Sequence, residues 1–191
     1  MIPSSDALLL DTCAIINLSY CSPIATMFRD RYKGRGGWAE AVRIELTRQR
    51  TRKPPHPQSG RACNWATSWL GEPFRVIDRQ GQAAVVEIQE SIAMGSDDDS
   101  LDHLGEAVSI YLLSLAGGGR LISDDHGARD VARSRSVRAA STVGVLAELL
   151  SRGMVSRDDA GTYLDVLRAQ NRMRVPLTTV DLLGRSLASW A

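Results

Sequence analysis

Apolar positions come along this chain in short runs that alternate with longer stretches of helical spacing. Ala7-Leu8-Leu9-Leu10 has the length of a buried strand and stops at Asp11-Thr12. Ala14, Ile15, Ile16 and Leu18 then continue with helical spacing. Helix and loop are expected up to Gly34-Arg35-Gly36-Gly37. Ala39, Val42, Ile44 and Leu46 predict another helix, and the proline-broken stretch from Arg50 to Ser59 predicts a loop. Helices follow over 63–69 and 83–94, with a strand at Phe74-Arg75-Val76-Ile77 between them. Leu104 to Leu115 predicts a helix stopped by Gly117-Gly118-Gly119. Strands near 120–123 and 137–140 flank a helix near 128–133. Thr142 is expected to cap a helix that runs through Leu150, and Ser156 with Asp159 to open another, reaching about Arg172. One more helix is expected within Pro176 to Ala191. Strands alternating with helices predict an α/β fold, with a central, mostly parallel sheet covered on both faces.

The polar positions add chemistry to this frame. Asp11 follows one predicted strand, and Asp124-Asp125 follows another. The carboxyl edge of a parallel sheet is where ligands bind, so two strands deliver acids to one rim. Glu45 stands among Val42, Ile44 and Leu46. Glu106 opens a helix that is otherwise Ala107, Val108, Ile110, Leu112 and Leu113. Acids in apolar company are costly unless paired, hydrogen-bonded or bound to metal. Taken singly, each has a plainer reading. Asp11 and Asp125 suit helix N-caps, Glu106 suits a helix-dipole partner and Glu45 suits a solvent-facing position. Asp97-Asp98-Asp99 reads as a solvated linker. Taken together, and with no Lys or Arg interleaved, converging carboxylates call for a divalent cation. Hard oxygen ligands select Mg²⁺ or Mn²⁺, which suit phosphodiester hydrolysis. Three cysteines without CxxC spacing and three unclustered histidines exclude a disulfide scaffold and disfavour zinc. A phosphoryl-accepting α/β protein would need a lysine after a late strand, and none is well placed.

These segments resemble the PIN-domain nucleases, including the toxin ribonucleases of toxin–antitoxin pairs. Leu8-Leu9-Leu10-Asp11-Thr12-Cys13-Ala14-Ile15-Ile16-Asn17-Leu18 is similar to that family's first strand and first acid, and Val42-Arg43-Ile44-Glu45-Leu46 to its second. Leu104-Gly105-Glu106-Ala107-Val108-Ser109-Ile110 is similar to the third-acid helix, with Gly-Glu where many members have Asp. Leu121-Ile122-Ser123-Asp124-Asp125-His126-Gly127-Ala128-Arg129 is similar to the fourth-acid segment, with Ser123 for the commoner Thr. Thr142-Val143-Gly144-Val145-Leu146 is similar to the helix start after the last strand.

The resemblance implies a three-layer α/β/α sandwich with a nuclease domain at 1–153. A helical extension at 154–191 would pack on it or continue it. It also implies catalytic Asp11, Glu45, Glu106 and Asp125, with Asp124 as an adjoining metal ligand. Mg²⁺ (or Mn²⁺) is the implied cofactor, and the products are 5′-phosphate and 3′-hydroxyl ends. Thr12, Ser123 and Asp102 (one helical turn before Glu106) are supporting residues. A homodimer and a cognate antitoxin are the implied protein partners. The loop from Arg48 to Gly71 is longer than a minimal toxin needs.

Composition and charge narrow the setting. The chain has 191 residues, enough at about 150 per domain for one domain with an appendage. Its net charge of +1 gives no global field, but the distribution is uneven. Phe28 to Lys53 carries nine basic residues against three acids, whereas Gln80 to Gly119 carries seven acids and no Lys or Arg. That polarity suits a metal site beside an RNA track, with Arg48, Arg50, Arg52 and Lys53 as candidate phosphate contacts. Trp38, Trp65 and Trp69 read as core, with base stacking as the alternative. No leader and no membrane span are expected, which points to the cytoplasm. A PIN-fold RNA-binding or scaffold module without catalysis is the alternative function.

Overall fold

The first apolar run forms an inner strand of the sheet. In a computed structural model, which describes residues 2–94 and 103–170, β1 (Leu8–Leu10) is wholly buried. It lies between β2 (Gly36–Gly37) and β3 (Arg120–Ile122), and β4 (Arg138–Ala140) lies beyond β3. Every pairing is parallel, in the order β2-β1-β3-β4, with Leu8 level with both Gly36 and Arg120. Strands with helices on either side have no solvated face, so Leu9, Leu10, Leu121 and Ile122 read as unbroken apolar runs.

Helices α1 (Thr12–Ser19) and α2 (Ser22–Tyr32) connect β1 to β2. Four helices then lead to β3: α3 (Glu40–Thr51), α4 (Ser59–Thr67), α5 (Arg79–Met94) and α6 (Leu104–Leu115). Helix α7 (His126–Ser134) joins β3 to β4, and α8 (Thr142–Ser151) and α9 (Arg157–Ala169) follow. Helices α5, α6 and α7 pack together as one group, and α1, α2, α8 and α9 as another. The chain leaves β1 toward one edge of the sheet and β3 toward the other. Right-handed crossovers in opposite directions put their helices on opposite faces. A crevice therefore opens where the carboxyl ends of β1 and β3 stand side by side. The inner face of α9, with Ala160, Tyr163, Leu164 and Leu167, belongs to the same buried core as the strands.

Several expectations change. Phe74 to Ile77 is not a strand: Phe74 makes one parallel bridge with Ala39, and Ile77 is exposed. The reason is its neighbour, which leaves the sheet at Glu40 to begin α3, so nothing remains to pair with Val76 and Ile77. Conversely, Gly36-Gly37 is an edge strand, not a loop. A Cβ at Gly36 would run into the Trp69 ring, and one at Gly37 into Phe74, so side-chain packing demands two glycines at this edge. The cap of α8 is Ser141, whose hydroxyl accepts from Gly144 N–H, and Thr142 turns elsewhere. Helix α4 starts at Ser59, four residues earlier than its apolar spacing suggests, with Ser59 buried. Ser156 caps α9 as expected. Asp97, Asp98, Asp99, Asp102 and the 176–191 helix lie outside the described residues.

Candidate functional site

The crevice gathers its acids because helices begin there. Asp11 ends β1 and caps α1, its Oδ1 accepting from Ala14 N–H. Asp125 ends the loop after β3 and caps α7 through Ala128 N–H. The capping readings of both acids are thus correct, but a cap uses one carboxylate oxygen. Asp11 Oδ2 is buried and has no hydrogen-bond partner among the described residues, and the same holds for Glu106 Oε2 on the first turn of α6.

Electrostatics ties the acids together. Burial pushes the Asp11 carboxyl up to about 7, with the Asp124 charge adding to the shift, hydrogen bonds from Ser123 and Ala14 opposing it and Glu45 adding least. Burial also raises Glu106 well above the usual carboxylate range, helped by Asp11, Glu45 and Asp125. The five acids Asp11, Glu45, Glu106, Asp124 and Asp125 therefore share one field. Among the described residues, no group of three or more His, Cys, Asp or Glu side chains is placed to hold a metal ion together.

Neighbouring polar groups hold these acids in place. Thr12 Oγ1 donates to Glu45 Oε2 at 2.5 Å, and Gln49 Nε2 donates to Glu45 Oε1 at 3.1 Å. Asp124 is the most fully bonded of the set. Thr142 N–H donates to its Oδ1 at 2.8 Å, and Asn17 Nδ2 to its Oδ2 at 2.6 Å. The Thr142 hydroxyl lies within 2.8 Å of both oxygens. Ser123 is fully buried between the two acid-bearing segments, and its hydroxyl accepts from Asp125 N–H.

Sequence reasoning missed three residues here. Asn17 is a buried polar position between Ile16 and Leu18, and that apolar setting is the signal available in the sequence. Thr142, expected as a cap, instead turns its N–H and hydroxyl to Asp124. Arg129 contradicts the expectation that no basic residue is interleaved with the acids. It lies one helical turn after Asp125, and its Nη1 donates to the Ser123 carbonyl at 2.9 Å.

The remaining candidates are distributed as follows. Arg48 and Arg50 lie on the last turns of α3, and Arg52 and Lys53 just beyond it. All four are exposed, without an ion pair among the described residues. Trp38 is core, with its indole N–H on the Gly71 carbonyl. Trp65 and Trp69 pack with Phe28, so none of the three is an open stacking platform. A cavity of about 340 Å³ between α3, α5 and α6 is walled mainly by apolar side chains such as Ile44, Phe74, Ile77 and Val86. Its one carboxylate, Glu40, is bonded to Arg43 and Arg75, so the reactive groups lie in the crevice instead.

A parallel α/β sheet whose diverging strands carry carboxylates into their shared crevice defines a class of acid-site α/β domains. The chain belongs to the PIN-domain family, a nuclease fold: the DUF3368 family, described as a PIN domain, matches residues 8–187, a stretch that contains every acid named above. No curated protein and no solved structure matches the chain. No helix among the described residues is long and apolar enough to cross a membrane.

Proposed function

We propose that this protein is a divalent-metal-dependent endoribonuclease that hydrolyses RNA phosphodiester bonds. The observation that carries the reading is the pair of buried carboxylates, Asp11 and Glu106. Among the described residues each keeps one oxygen without a hydrogen-bond partner, Asp11 in the field of Asp124 and Glu45, and Glu106 in that of Asp11, Glu45 and Asp125. Buried acids without counter-ions are expensive to keep, and a hard divalent cation is the partner that suits an all-oxygen set. The donor chemistry fits Mg²⁺ or Mn²⁺, with Asp11, Glu45, Glu106 and Asp125 as the residues that would hold it. Asp124 already accepts from Asn17 and Thr142, so it serves best as the adjoining carboxylate.

When bound, such a cation supplies a water of lowered pKa and neutralises charge on the phosphoryl oxygens. The chain's own part is positioning. The caps at Ala14 and Ala128 fix Asp11 and Asp125 on rigid helix starts, and Thr12 aims Glu45. Ser123 braces the Asp125 backbone. Arg48, Arg50, Arg52 and Lys53 would attract the RNA backbone. Asp102 is a supporting candidate from sequence alone.

Family membership supports a further step, that this is the toxin half of a toxin–antitoxin pair. Such a toxin would work in the cytoplasm as a homodimer covered by a cognate antitoxin, with residues 154–191 continuing the nuclease domain.

Purified protein is expected to cut RNA with Mg²⁺ or Mn²⁺, to stop with chelator and to lose activity as Asp11→Asn. No cleavage, together with a melting temperature indifferent to Mn²⁺, would favour a PIN-fold scaffold without catalysis. Growth arrest on expression that the Asn variant relieves tests the toxin role.

A further inference from the structure

Arg129 occupies a costly position. It is partly buried, and its Nε is buried without a hydrogen-bond partner among the described residues. It also stands near the start of α7, where the helix dipole disfavours a cation. Burial pulls its pKa down, and the charges of Asp124, Asp125 and Asp11 push back. A guanidinium kept only to balance acids would close on one of them, as Arg120 closes on Glu148 at 2.6 Å. Arg129 forms no ion pair among the described residues. It is held instead by the neutral Ser123 carbonyl, so its charge is steered into the acid crevice without being consumed there.

We infer that Arg129 contacts a phosphate of the RNA strand beside the bond to be cut, an assignment that rests on the ribonuclease reading above. A crevice walled by five carboxylates repels a polyanion. A fixed guanidinium next to Asp125 gives one backbone phosphate a charge-assisted hydrogen bond at that wall. The bond to Ser123 sets the guanidinium in place before the strand arrives.

The test measures binding without cleavage. In an Asp11→Asn background and without metal, labelled single-stranded RNA is titrated by fluorescence anisotropy at several salt concentrations, with and without Arg129→Gln. Glutamine keeps a polar side chain of similar stem and removes the charge. The expected result is about tenfold weaker binding and a salt slope smaller by about one. A neutral methylphosphonate scanned through the RNA should weaken binding at one position with Arg129 present and have no further effect there in the Gln variant. Should Arg129→Gln fail to fold, Arg129→Lys enters the same cycle. It is expected to keep the salt slope and lose part of the sensitivity at that position.

A residue that is only a strut would lower the melting temperature and Mn²⁺ affinity while leaving slope and methylphosphonate pattern untouched, and that result overturns the assignment. If the wild type neither binds nor cuts RNA, the ribonuclease reading itself falls. If it cuts RNA and the Gln variant matches it in slope, only the role of Arg129 falls.

Discussion

The sheet has acids at both ends, and the two ends treat them differently. At the amino ends of the strands, Glu148 is met by Arg120 at 2.6 Å and Arg152 at 3.3 Å, with the Tyr32 hydroxyl donating at 3.4 Å. Burial would raise the Glu148 carboxyl, but the Arg120 hydrogen bond and the surrounding guanidinium charges outweigh it and hold the group low. At the carboxyl ends, Asp11 and Glu106 are raised, and among the described residues no arginine closes on either. The chain has 23 Lys and Arg residues, so the difference is not one of supply. One end neutralises its acid internally as part of folding. The other keeps its acids open at a cost in stability, the mark of a place reserved for a ligand.

The largest effect should come from removing the open end's chemistry. Asp11→Asn keeps an oxygen to cap Ala14 and loses the charge. RNA cleavage is expected to fall by about 10²–10³-fold or more, the scale of losing one strong electrostatic stabiliser. A cleavage time course with Mn²⁺, beside circular dichroism of the folded variant, checks this. Full activity in the variant would erase the distinction between the two ends.

Stability without metal sharpens the same contrast. The folded Asp11 carboxyl is raised to about 7 from the model-peptide value of 3.8, so the folded protein holds its proton through that interval. Its contribution is present at pH 4 and is lost as pH rises through 7. With chelator, the wild type should be less stable at pH 8 than at pH 5, by up to about 3 kcal/mol from this group, at about 1.4 kcal/mol per pH unit between 5 and 7. Asp11→Asn should flatten the slope and melt higher than wild type at pH 8. Mn²⁺ should reverse that order, since it stabilises only the intact site. Calorimetric melts at both pH values decide it. An Asn variant that melts lower at pH 8 without metal would show that Asp11 is not held against its charge.

The closed end should behave oppositely. Arg120→Met leaves Glu148 with a weaker partner and should cost about 1–2 kcal/mol, less than for a sealed pair because solvent reaches one side. Urea melts measure this loss, and cleavage per folded molecule should not change.

How far the sequence discloses this contrast depends on which forces are local. The strand runs at Leu8 to Leu10 and Arg120 to Ile122, and the acids that end them, are visible because burial on both faces leaves unbroken apolar letters. Glu106 stands out as a charge in an apolar helix, and Glu45 as one beside Val42, Ile44 and Leu46. Gly36-Gly37 does not read as a strand, because what makes it one is the Trp69 and Phe74 rings brought from elsewhere in the chain. Asp124 and Asp125 look alike in sequence. They are told apart by the Ala128 N–H that Asp125 caps and by Asn17 and Thr142, 107 and 18 residues from Asp124, which bind Asp124. Arg129 looks like its neighbour Arg133 on α7, and only the position of the Ser123 carbonyl sets it apart.

The smallest predicted effect separates the two ends by their surface charge. Arg48, Arg50, Arg52 and Lys53 are exposed, lead out of the helix that carries Glu45 and have no ion pair among the described residues. Arg138 is also exposed but lies at the amino end of β4, with its Nε on the Gly119 carbonyl. Phosphate contacts act through counterion release, so single alanine substitutions at the first four should each raise KM about two- to threefold near physiological salt. Each should also lower the salt slope by about one, with kcat unchanged. Arg138→Ala should leave KM and slope as they are. Equal effects from both sets would mean that RNA senses only the overall charge of the protein, and the track beside the acid crevice would lose its support.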